Sequence, residues 1–401
     1  MKPVIIVHHH EIILKGGNRG FFERQLMRNI RASLGAVQAN AMIRGGYGRF
    51  IIDIVDESRV EEIVSCLKSV FGIANICTGV EVAQDVNAFT TAAVQMLEQR
   101  QFKTLKVETR RADKNFPKKS MEVSAEVGGV LCDRFAVRAN MTTPDEIVYI
   151  SIVDSTAFVY LSKVQGSAGL PAGVSGRVVG LLSAGIDSPV ACWQLMKRGA
   201  NVIFVHFHSM PYTSQNAVDQ VRQLTALLTK FQFQSKLYLV PFAEVQQKIV
   251  QKAPQPLRII LYRRLMVRIA EEVAWKEKAE ALVTGEAVGQ VASQTLRNIR
   301  AIDAVATLPI LRPLAGMDKE ETITYARRIG TFEISKEPFD DCCSFLAPRS
   351  PETWARLEEV DQAESHFDIP SLVSEAMQNV VIEKFTSPTV ERESLATSSV
   401  L

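Results

Sequence analysis

One stretch, VVGLLSAGIDSPV at residues 178–190, constrains the fold most strongly, because it predicts a buried strand, a turn of small residues and a helix start in direct succession. Residues 178–182 form a short apolar run typical of the middle of a parallel sheet. Pro189 suits the first helical position, where its missing N–H has no cost, and Gly199 predicts the end of that helix. In the turn at 183–188, several backbone N–H groups and the positive end of the helix dipole can face one anion.

Strand and helix patterns alternate through the second half of the chain. Further apolar runs predict strands at 201–207, 236–240, 281–284 and 308–314, and helical patterns fall at 215–230, 257–275 and 318–329. This order predicts an α/β fold with a doubly wound parallel sheet. After Ser350 we expect mostly helix, at 351–364 and 369–382. Ligands of open α/β sheets bind at the carboxyl ends of the strands, so we expect the site at that edge.

Length and composition limit the class of protein. With 401 residues, of which 47% are hydrophobic and 22% charged, the chain predicts two or three folded domains. No apolar run reaches the length of about 18 residues that a membrane span needs. The N-terminal apolar run is too short for a signal peptide, which favours the cytoplasm. The six cysteines form neither a disulfide framework nor a C-x-x-C metal pattern.

The first residues, to about 58, predict a small α/β module. Apolar residues at 4–7, 12–14 and 49–55 favour strands, and 18–34 favours a helix with several arginines. Three consecutive histidines, His8 to His10, have two interpretations. They could bind a metal, or they could be exposed polar residues of a strand, and we favour the second.

A basic stretch follows in the next region. Residues 103–119 carry seven lysines and arginines against two acids, with Phe116 and Pro117 among them. Such a cluster is either a solvated face or a surface that binds the phosphates of a nucleic acid.

A second stretch whose side chains could take part in catalysis is FDDCCSF at 339–345. Adjacent cysteines rarely bond to each other, because neighbouring Cα atoms are only about 3.8 Å apart. Cys342 and Cys343 are therefore either two structural thiols or a reactive thiol with its neighbour.

The turn at 183–188 reads SAGIDS and lacks the lysine of the G-x-x-x-x-G-K-[ST] P-loop. It resembles instead the S-G-G-x-D-S loop of the ATP pyrophosphatase (PP-loop) family, which cleaves ATP to AMP and pyrophosphate. In that family the loop holds the pyrophosphate end of ATP. Ala184 stands where the family usually has its first glycine, so its methyl group must fit beside the phosphates. The alternative interpretation is an ordinary strand-to-helix turn.

Two further segments resemble parts of RNA-modifying enzymes. KVETRRADKNFP at 106–117 looks like the characteristic stretch of the THUMP domain, an RNA-binding fold, and the turn at 144–145 with the strand pattern at 146–153 is similar to that domain's last hairpin. EIILKGGNR at 11–19, followed by Phe21 and Phe22, completes the pattern. In this order the segments resemble the tRNA 4-thiouridine synthase (tRNA sulfurtransferase) family over residues 1 to about 385.

The resemblance implies a domain order and two sets of site residues. The domains are a ferredoxin-like module at 1–58, a THUMP α/β module at 59–165, a linker at 166–176, an adenine nucleotide alpha hydrolase-like PP-loop domain at 177–385 and a flexible tail at 386–401. Residues expected to contact ATP are Leu181, Leu182, Ser183, Gly185, Asp187, Ser188, His206, Phe207, Arg263, Gly285 and Gln294. Residues expected to contact RNA are Lys106, Arg110, Arg111, Lys114 and Lys118.

Two residues are implied to be catalytic. Asp187 is also the candidate ligand of Mg²⁺. The residues that follow the cysteine pair, Ser344-Phe345-Leu346 and then Pro348, align best if Cys343 carries the sulfur. Cys342 remains a second candidate, and free sulfide a third route.

The implied reaction is ATP-dependent sulfur transfer to tRNA, which forms 4-thiouridine at position 8 through an adenylated uridine. A cysteine desulfurase would supply the sulfur. Sulfur supply for the thiamine thiazole, through a carrier protein, is an implied second role, and the oligomeric state, a homodimer included, stays open. We expect no C-terminal rhodanese domain. The alternatives are another PP-loop adenylating enzyme, either a different tRNA thiolase or an amide-forming synthetase, and an RNA-binding module that holds ATP without catalysis.

Overall fold

The computed structural model describes residues 1–37, 39, 41–46, 48–340, 342, 346–387 and 393–395. The chain divides into two compact units, residues 1–170 and 171–401. The predicted sulfur carrier Cys343 lies outside the described residues, as does most of the tail at 386–401.

The first unit is one sheet of nine strands with helices on it. Its elements are β1 (Lys2–His8), α1 (Arg19–Ala36), β2 (Ile43–Gly46), β3 (Arg49–Asp53), α2 (Val60–Leu67), β4 (Asn75–Val82), α3 (Val86–Leu97), β5 (Thr104–Arg111), α4 (Ser120–Phe135), β6 (Arg138–Ala139), β7 (Glu146–Val153), β8 (Thr156–Tyr160) and β9 (Val164–Gln165). The strand order is β2-β3-β1-β4-β8-β7-β5-β6, and β9 pairs with β4. The strands of both predicted N-terminal modules therefore continue in a single sheet.

Alternation along the strands creates the cores of this unit. Leu105 and Val107 of β5 point to the same side, where they pack with Phe89 of α3 and Val123 of α4. The intervening Lys106 points to the other face. The side chains of Lys106 and Arg110 are thus kept away from the helix-covered core.

The strand predicted at 12–14 is wrong. Residues Glu11–Asn18 form a 3₁₀ helix, in which Ile12 is buried while Ile13 and Leu14 are exposed. Gly16 takes a positive φ of 51° inside this segment, which breaks any extended run. Three consecutive apolar residues look like a buried strand, but here only one of them reaches the core.

The prediction of exposed histidines is wrong for two of the three. His9 is fully buried, and its Nε2 lies 3.3 Å from a carboxylate oxygen of Glu23. His8 is largely buried at the end of β1, with Nδ1 3.8 Å from the sulfur of Cys77. Burial lowers the pKa of both imidazoles to about 4, so both are neutral at pH 7. Within the described residues, no group of three or more metal-ligating side chains occurs.

The second unit contains a seven-stranded sheet. Its elements are β10 (Arg177–Leu181), α5 (Asp187–Lys197), β11 (Asn201–His208), α6 (Asn216–Gln232), β12 (Gln234–Pro241), α7 (Ala243–Lys252), α8 (Arg258–Glu277), β13 (Leu282–Val283), α9 (Leu296–Asp303), β14 (Ile310–Leu311), α10 (Lys319–Ile329), α11 (Phe332–Ser335), α12 (Leu357–Glu364), α13 (Ile369–Gln378), β15 (Val381–Thr386) and β16 (Glu393–Leu395). The order is β14-β13-β10-β11-β12-β15-β16, and β10 to β14 pair in parallel. The predicted doubly wound parallel sheet is confirmed.

Helices cover this sheet, and α8 packs against β10, β11 and β13. One of two adjacent arginines on α8 turns fully inward. Arg264 is buried, and its guanidinium pairs with Asp361 at 2.7 Å and with Glu364 at 2.9 Å, both on α12. This leaves Arg263 to face a different side.

The C-terminal part departs from the prediction. The expected helix at 369–382 ends at Gln378, and Val381–Thr386 forms an antiparallel strand beside β12. On β15 the buried positions are Glu383 and Phe385. The Glu383 carboxylate faces Arg222 at 2.7 Å, so a charged residue occupies a core position and hides the alternation that would predict a strand. Helix α7 was not predicted, and the helix expected from 351 begins at Leu357.

Candidate nucleotide site

The turn between β10 and α5 is closed by its own hydroxyl groups. The Ser188 Oγ accepts a hydrogen bond from the backbone N–H of Ser183 at 2.8 Å, and the two Oγ atoms lie 3.0 Å apart. The N–H of Gly185 donates to the Ser183 Oγ at 3.3 Å. Helix α5 begins at Asp187, so Pro189 occupies its third position and not the first. The loop is therefore a preformed turn at the positive end of a helix.

Ala184 fits this turn without strain. It is 1% exposed and does not adopt a positive φ. Its methyl group therefore packs into the protein interior, and the backbone conformation does not need a glycine there.

The Asp187 carboxylate has two partners that the sequence did not reveal. Lys319 Nζ lies 2.7 Å from its Oδ1, and Gln290 Nε2 donates to its Oδ2 at 3.0 Å. Lys319 follows Asp318, the N-cap of α10. The sequence therefore indicates only that Lys319 is the first residue of a capped helix and not that it belongs to the site. The fold brings this cation to the phosphate-loop acid from 132 residues away.

One cavity of about 280 Å³ is lined by every residue that the resemblance predicts to contact ATP. Its lining includes Leu181, Leu182, Ser183, Gly185, Asp187, Ser188, His206, Phe207, Arg263, Gly285 and Gln294. These residues come from the ends of β10, β11 and β13, from α5 and α8, and from the segment before α9. The cavity thus lies at the carboxyl edge of the parallel sheet, where ligands of such folds bind.

A charged cluster forms one wall of the cavity. The Glu286 carboxylate contacts Arg263 at 2.6 Å and Arg312 at 2.8 Å, and it accepts a hydrogen bond from the Thr284 hydroxyl. Burial alone would raise the pKa of this carboxyl, but the two guanidinium groups outweigh burial and hold the pKa below its ordinary value. Glu286 is therefore ionised and holds the guanidinium group of Arg263 in position. The sequence analysis missed Glu286 and Arg312, which have no local motif.

Two polar side chains present defined groups to the cavity. His206 Nδ1 lies 2.9 Å from the carbonyl oxygen of Leu182 and must carry a proton to donate to it. Gln294 is buried, and its Oε1 accepts no hydrogen bond within the described structure. A buried amide oxygen of this kind is suited to an N–H donor on a ligand.

The structure shows why position 285 requires a glycine, which the sequence alone did not reveal. A Cβ at this position would lie 2.6 Å from the backbone nitrogen of Ser188 and 2.8 Å from the carbonyl carbon of Asp187. The missing side chain lets the end of β13 approach the first turn of α5.

We expect Gly285→Ala to push these two backbones apart and to weaken ATP binding about 10-fold or more, at a cost of about 1–3 kcal/mol in unfolding free energy. The measurements are ATP titration and denaturant unfolding. Gly316→Ala is the matched control, because an added Cβ there meets no atom within 4 Å. Equal ATP affinities for the two variants would contradict this account.

Described residues next to Cys343 approach the same cavity. Cys342 lines it, and the Cys342 carbonyl oxygen accepts a hydrogen bond from Gln246 Nε2 at 2.7 Å. Gln246 is fully buried on α7 and also accepts from the Ser209 hydroxyl at 2.5 Å. Leu346, just beyond Cys343, accepts from the Tyr262 hydroxyl at 3.4 Å. These bonds hold both sides of position 343 to the body of the unit.

The other described cysteines are poor candidates for sulfur chemistry. Burial raises the pKa of the Cys77 and Cys192 thiols to about 12, and it also raises the pKa of Cys66 and Cys132. A thiol with a raised pKa has little of the reactive thiolate at neutral pH.

The predicted RNA-binding residues divide into two groups. Lys106 and Arg110 stand four residues apart on β5 and face the same side, and Arg110 and Lys114 are exposed. Arg111 instead donates to the carbonyl oxygens of Phe116 and Lys118, and Lys118 pairs with Glu126. Arg111 therefore braces the loop after β5. The first group presents its charge outward, although the exposed Arg110 also lies 3.4 Å from the Glu108 carboxylate.

No helix in the described parts of the chain combines the length and the apolar character that crossing a membrane requires. Known families match nearly the whole chain. Residues 173–369 match the family described as Thiamine biosynthesis protein (ThiI), residues 4–77 match the ThiI ferredoxin-like domain, and residues 83–162 match the THUMP domain.

Curated relatives cover nearly all of the chain. A probable tRNA sulfurtransferase from Caldanaerobacter subterraneus subsp. tengcongensis is 40% identical over 95% of this chain and the whole of the relative. Another from Moorella thermoacetica is 39% identical over 95% of this chain and 97% of its own length. The chain belongs to the tRNA sulfurtransferase family. The family predicted from the sequence is thereby confirmed.

Two solved structures extend the comparison for this family member. A 4-thiouridine synthetase, crystallised with RNA and bound ATP, superposes with a TM-score of 0.87 at 36% identity and covers 98% of this chain and 100% of its own. A protein from Pyrococcus horikoshii has a TM-score of 0.65 at 24% identity over 82% of this chain and 99% of its own, which shows a shared fold. The predicted order of ferredoxin-like, THUMP and parallel-sheet α/β parts is confirmed.

Proposed function

We propose that this protein transfers sulfur to tRNA in an ATP-dependent reaction that forms 4-thiouridine at position 8. The observation that carries the proposal is the cavity at the carboxyl edge of the parallel sheet. It joins the phosphate-loop turn, the residues assigned to ATP and Cys342 in one site, in a chain of the tRNA sulfurtransferase family. ATP is the cosubstrate, as in the related 4-thiouridine synthetase structure with bound ATP.

ATP has a defined orientation in this proposal. The phosphates face the turn at 183–188 and Lys319, because the helix N-terminus and the ammonium both attract anions. The base and ribose extend toward Gln294 and the end of β11, where the free Gln294 Oε1 can accept from the adenine amino group.

The residues also fit magnesium that arrives with ATP. Mg²⁺ in nucleotide sites is usually held by one or two carboxylates together with the phosphates, and it keeps several waters. The Asp187 carboxylate at the phosphate end supplies such a ligand once Lys319 turns to the phosphates. The ion would neutralise charge on the leaving pyrophosphate. The carboxylate of Glu286 is unsuited to this role, because Arg263 and Arg312 already neutralise it.

The chemistry divides into activation and sulfur transfer. A uridine O4 is a poor leaving group, so it first attacks the α-phosphorus of ATP, and pyrophosphate leaves. The terminal sulfur of a Cys343 persulfide then attacks C4 and AMP leaves. A second thiol then attacks the Cys343 sulfur of the resulting disulfide, forms a new disulfide with Cys343 and releases the thiolated base. Arg263, fixed by Glu286, stabilises negative charge during activation.

The uridine has to leave its stack to reach this cavity. We infer that the first unit holds the rest of the tRNA through Lys106, Arg110 and Lys114, whose charges face outward. A cysteine desulfurase is the proposed sulfur donor, and the reaction is placed in the cytoplasm. Sulfur supply for the thiamine thiazole through a carrier protein, and a homodimeric state, remain proposals from the family resemblance.

Replacing Lys106, Arg110 and Lys114 together by Ala should weaken tRNA binding and flatten its salt dependence. Each phosphate contact releases about 0.9 counterion for a duplex, so the slope of log affinity against log salt should fall by up to about 2.7. Binding is measured between about 50 and 200 mM salt.

The matched control removes three exposed lysines from the second unit, Lys230, Lys252 and Lys276. It changes the net charge equally and should leave the salt slope unchanged. If the two triple variants show the same slope, the β5 surface is not the tRNA site.

The proposed function is tested by mass analysis of tRNA nucleosides. The protein is incubated with tRNA, ATP, magnesium, a cysteine desulfurase and cysteine, and AMP and pyrophosphate are measured in parallel. We expect 4-thiouridine and an equal amount of pyrophosphate. AMP and pyrophosphate with a different modified nucleoside would indicate another tRNA thiolase, and tRNA binding without either would indicate a module that only binds RNA.

A further inference from the structure

An exposed tryptophan stands in a rigid turn of the second unit. Trp354 is 63% exposed. The Glu352 carboxylate accepts hydrogen bonds from the backbone N–H groups of Thr353 at 2.9 Å and of Trp354 at 2.8 Å. The indole is thus presented to solvent by a preorganised backbone, although burying such a ring would ordinarily stabilise the fold.

Hydrogen bonds tie this turn to the rim of the nucleotide cavity. Asn298 is fully buried and donates to the carbonyl oxygens of Ala292 at 2.8 Å and Glu352 at 2.7 Å. Its Oδ1 accepts from the N–H of Ala355 at 3.1 Å. Ala292 lies between Val291 and Gln294, both of which line the cavity. The turn with Trp354 is therefore linked through Asn298 to a segment that lines the cavity.

The surface around this indole includes an apolar side chain and cationic side chains. The Arg297 guanidinium carbon lies 4.2 Å from the centre of the Trp354 ring, and Leu296 is also exposed. Residues 288–300 include Arg297 and Arg300 and no acid. The indole and the Arg297 guanidinium offer a face on which a nucleobase can stack. Arg300 is a second cation that can attract the phosphate of the same nucleotide.

We propose that Trp354 and Arg297 form a stacking platform for a tRNA nucleotide that neighbours the target uridine. The inference rests on the proposed function and specifies how its substrate is held. Extrusion of the uridine leaves an adjacent base without its stacking partner, and the exposed indole replaces that partner. The positive charge of the segment favours RNA as the occupant over an apolar protein surface.

The kinetic test compares Trp354→Ala, Trp354→Phe and Trp275→Ala in tRNA-dependent pyrophosphate release. Trp354→Ala should raise the KM for tRNA about 10-fold, and Trp354→Phe should retain most of the wild-type value because its ring still stacks. Trp275 is the matched control, since it is 52% exposed on α8, about 18 Å along the helix from Arg263. Equal KM values for Trp354→Ala and the control overturn the proposal.

A binding measurement makes the result independent of catalysis. Added tRNA should quench the indole fluorescence of the wild type, and Trp354→Phe should lose that quenching. If the wild type forms no 4-thiouridine but shows this quenching, the platform stands and the proposed function fails. If quenching is the same in both proteins, the platform is refuted. A Trp354→Ala defect limited to sulfur delivery from a desulfurase, with tRNA affinity unchanged, also refutes it and assigns the surface to a protein.

Discussion

Asp187→Asn is expected to lower tRNA-dependent pyrophosphate release by at least about 100-fold. The substitution keeps the size of the side chain but removes the charge that faces Lys319 at 2.7 Å and would hold magnesium beside the phosphates. Without the charge, the ion pair with Lys319 is lost, and the amide that replaces one carboxylate oxygen leaves a single acceptor for Lys319 and Gln290. The measurement is pyrophosphate formation at saturating ATP and tRNA.

The same variant should keep its fold and its affinity for tRNA. The ion pair of Asp187 is partly exposed, so its loss costs about 0–1 kcal/mol. The basic β5 surface belongs to the other unit of the chain. Thermal unfolding and a gel or filter assay with tRNA check these two points.

Asp318→Asn is the control for this variant. Asp318 caps α10 next to Lys319, and Asn is an equally good N-cap, so the helix and the lysine stay in place while one nearby charge is removed. Pyrophosphate release should remain near the wild-type rate. A loss as large as that of Asp187→Asn, or a parallel loss of tRNA affinity, would contradict the role assigned to Asp187.

The phosphate-loop end of the site could be predicted because its signal is local. A buried strand, a turn of small hydroxyl residues and a helix start occupy adjacent positions, and the edge of the sheet then fixes where His206 and Gly285 must lie. The partners of these residues could not be predicted in the same way. Lys319 and Arg312 reach the site through long-range packing, and each has an ordinary local context.

Two of the errors in the predicted fold have a common cause. A pattern of exposed and buried residues predicts structure only if polar residues stay outside, and this chain buries some polar and charged groups against a partner. Glu383 occupies a core position of β15 against Arg222, and His9 is buried against Glu23. A buried polar residue whose binding partner is distant in sequence interrupts the apolar pattern, so the strand or helix that contains it is not predicted.

Cys343→Ser is expected to abolish 4-thiouridine formation, a loss of at least about 1,000-fold, while activation of the uridine continues. Serine keeps the shape of the side chain but cannot hold a persulfide. Position 343 lies between two anchored points. The Cys342 carbonyl oxygen is held by Gln246, and the Leu346 carbonyl oxygen by Tyr262. Because the neighbouring Cys342 lines the cavity, we propose that the Cys343 thiol meets the adenylated uridine and takes no part in binding ATP.

Two products have to be measured together to separate these steps. Pyrophosphate release with tRNA reports activation, and mass analysis of the nucleosides reports sulfur transfer. We expect the first to persist in Cys343→Ser and the second to vanish. Persulfide on the wild-type peptide, detected by mass after incubation with a desulfurase, should be absent from the variant.

Cys342→Ser is the matched control, because it changes a neighbouring thiol that lines the cavity and leaves the backbone bond to Gln246 intact. It should lose less activity than Cys343→Ser. If Cys343→Ser thiolates tRNA at the wild-type rate, the assignment of the sulfur carrier is wrong. If Cys342→Ser is the variant that stops thiolation, the carrier is Cys342. If free sulfide restores 4-thiouridine formation in Cys343→Ser, the Cys343 thiol of the wild type delivers the sulfur. The variant then lacks only sulfur delivery, which sulfide supplies from solution.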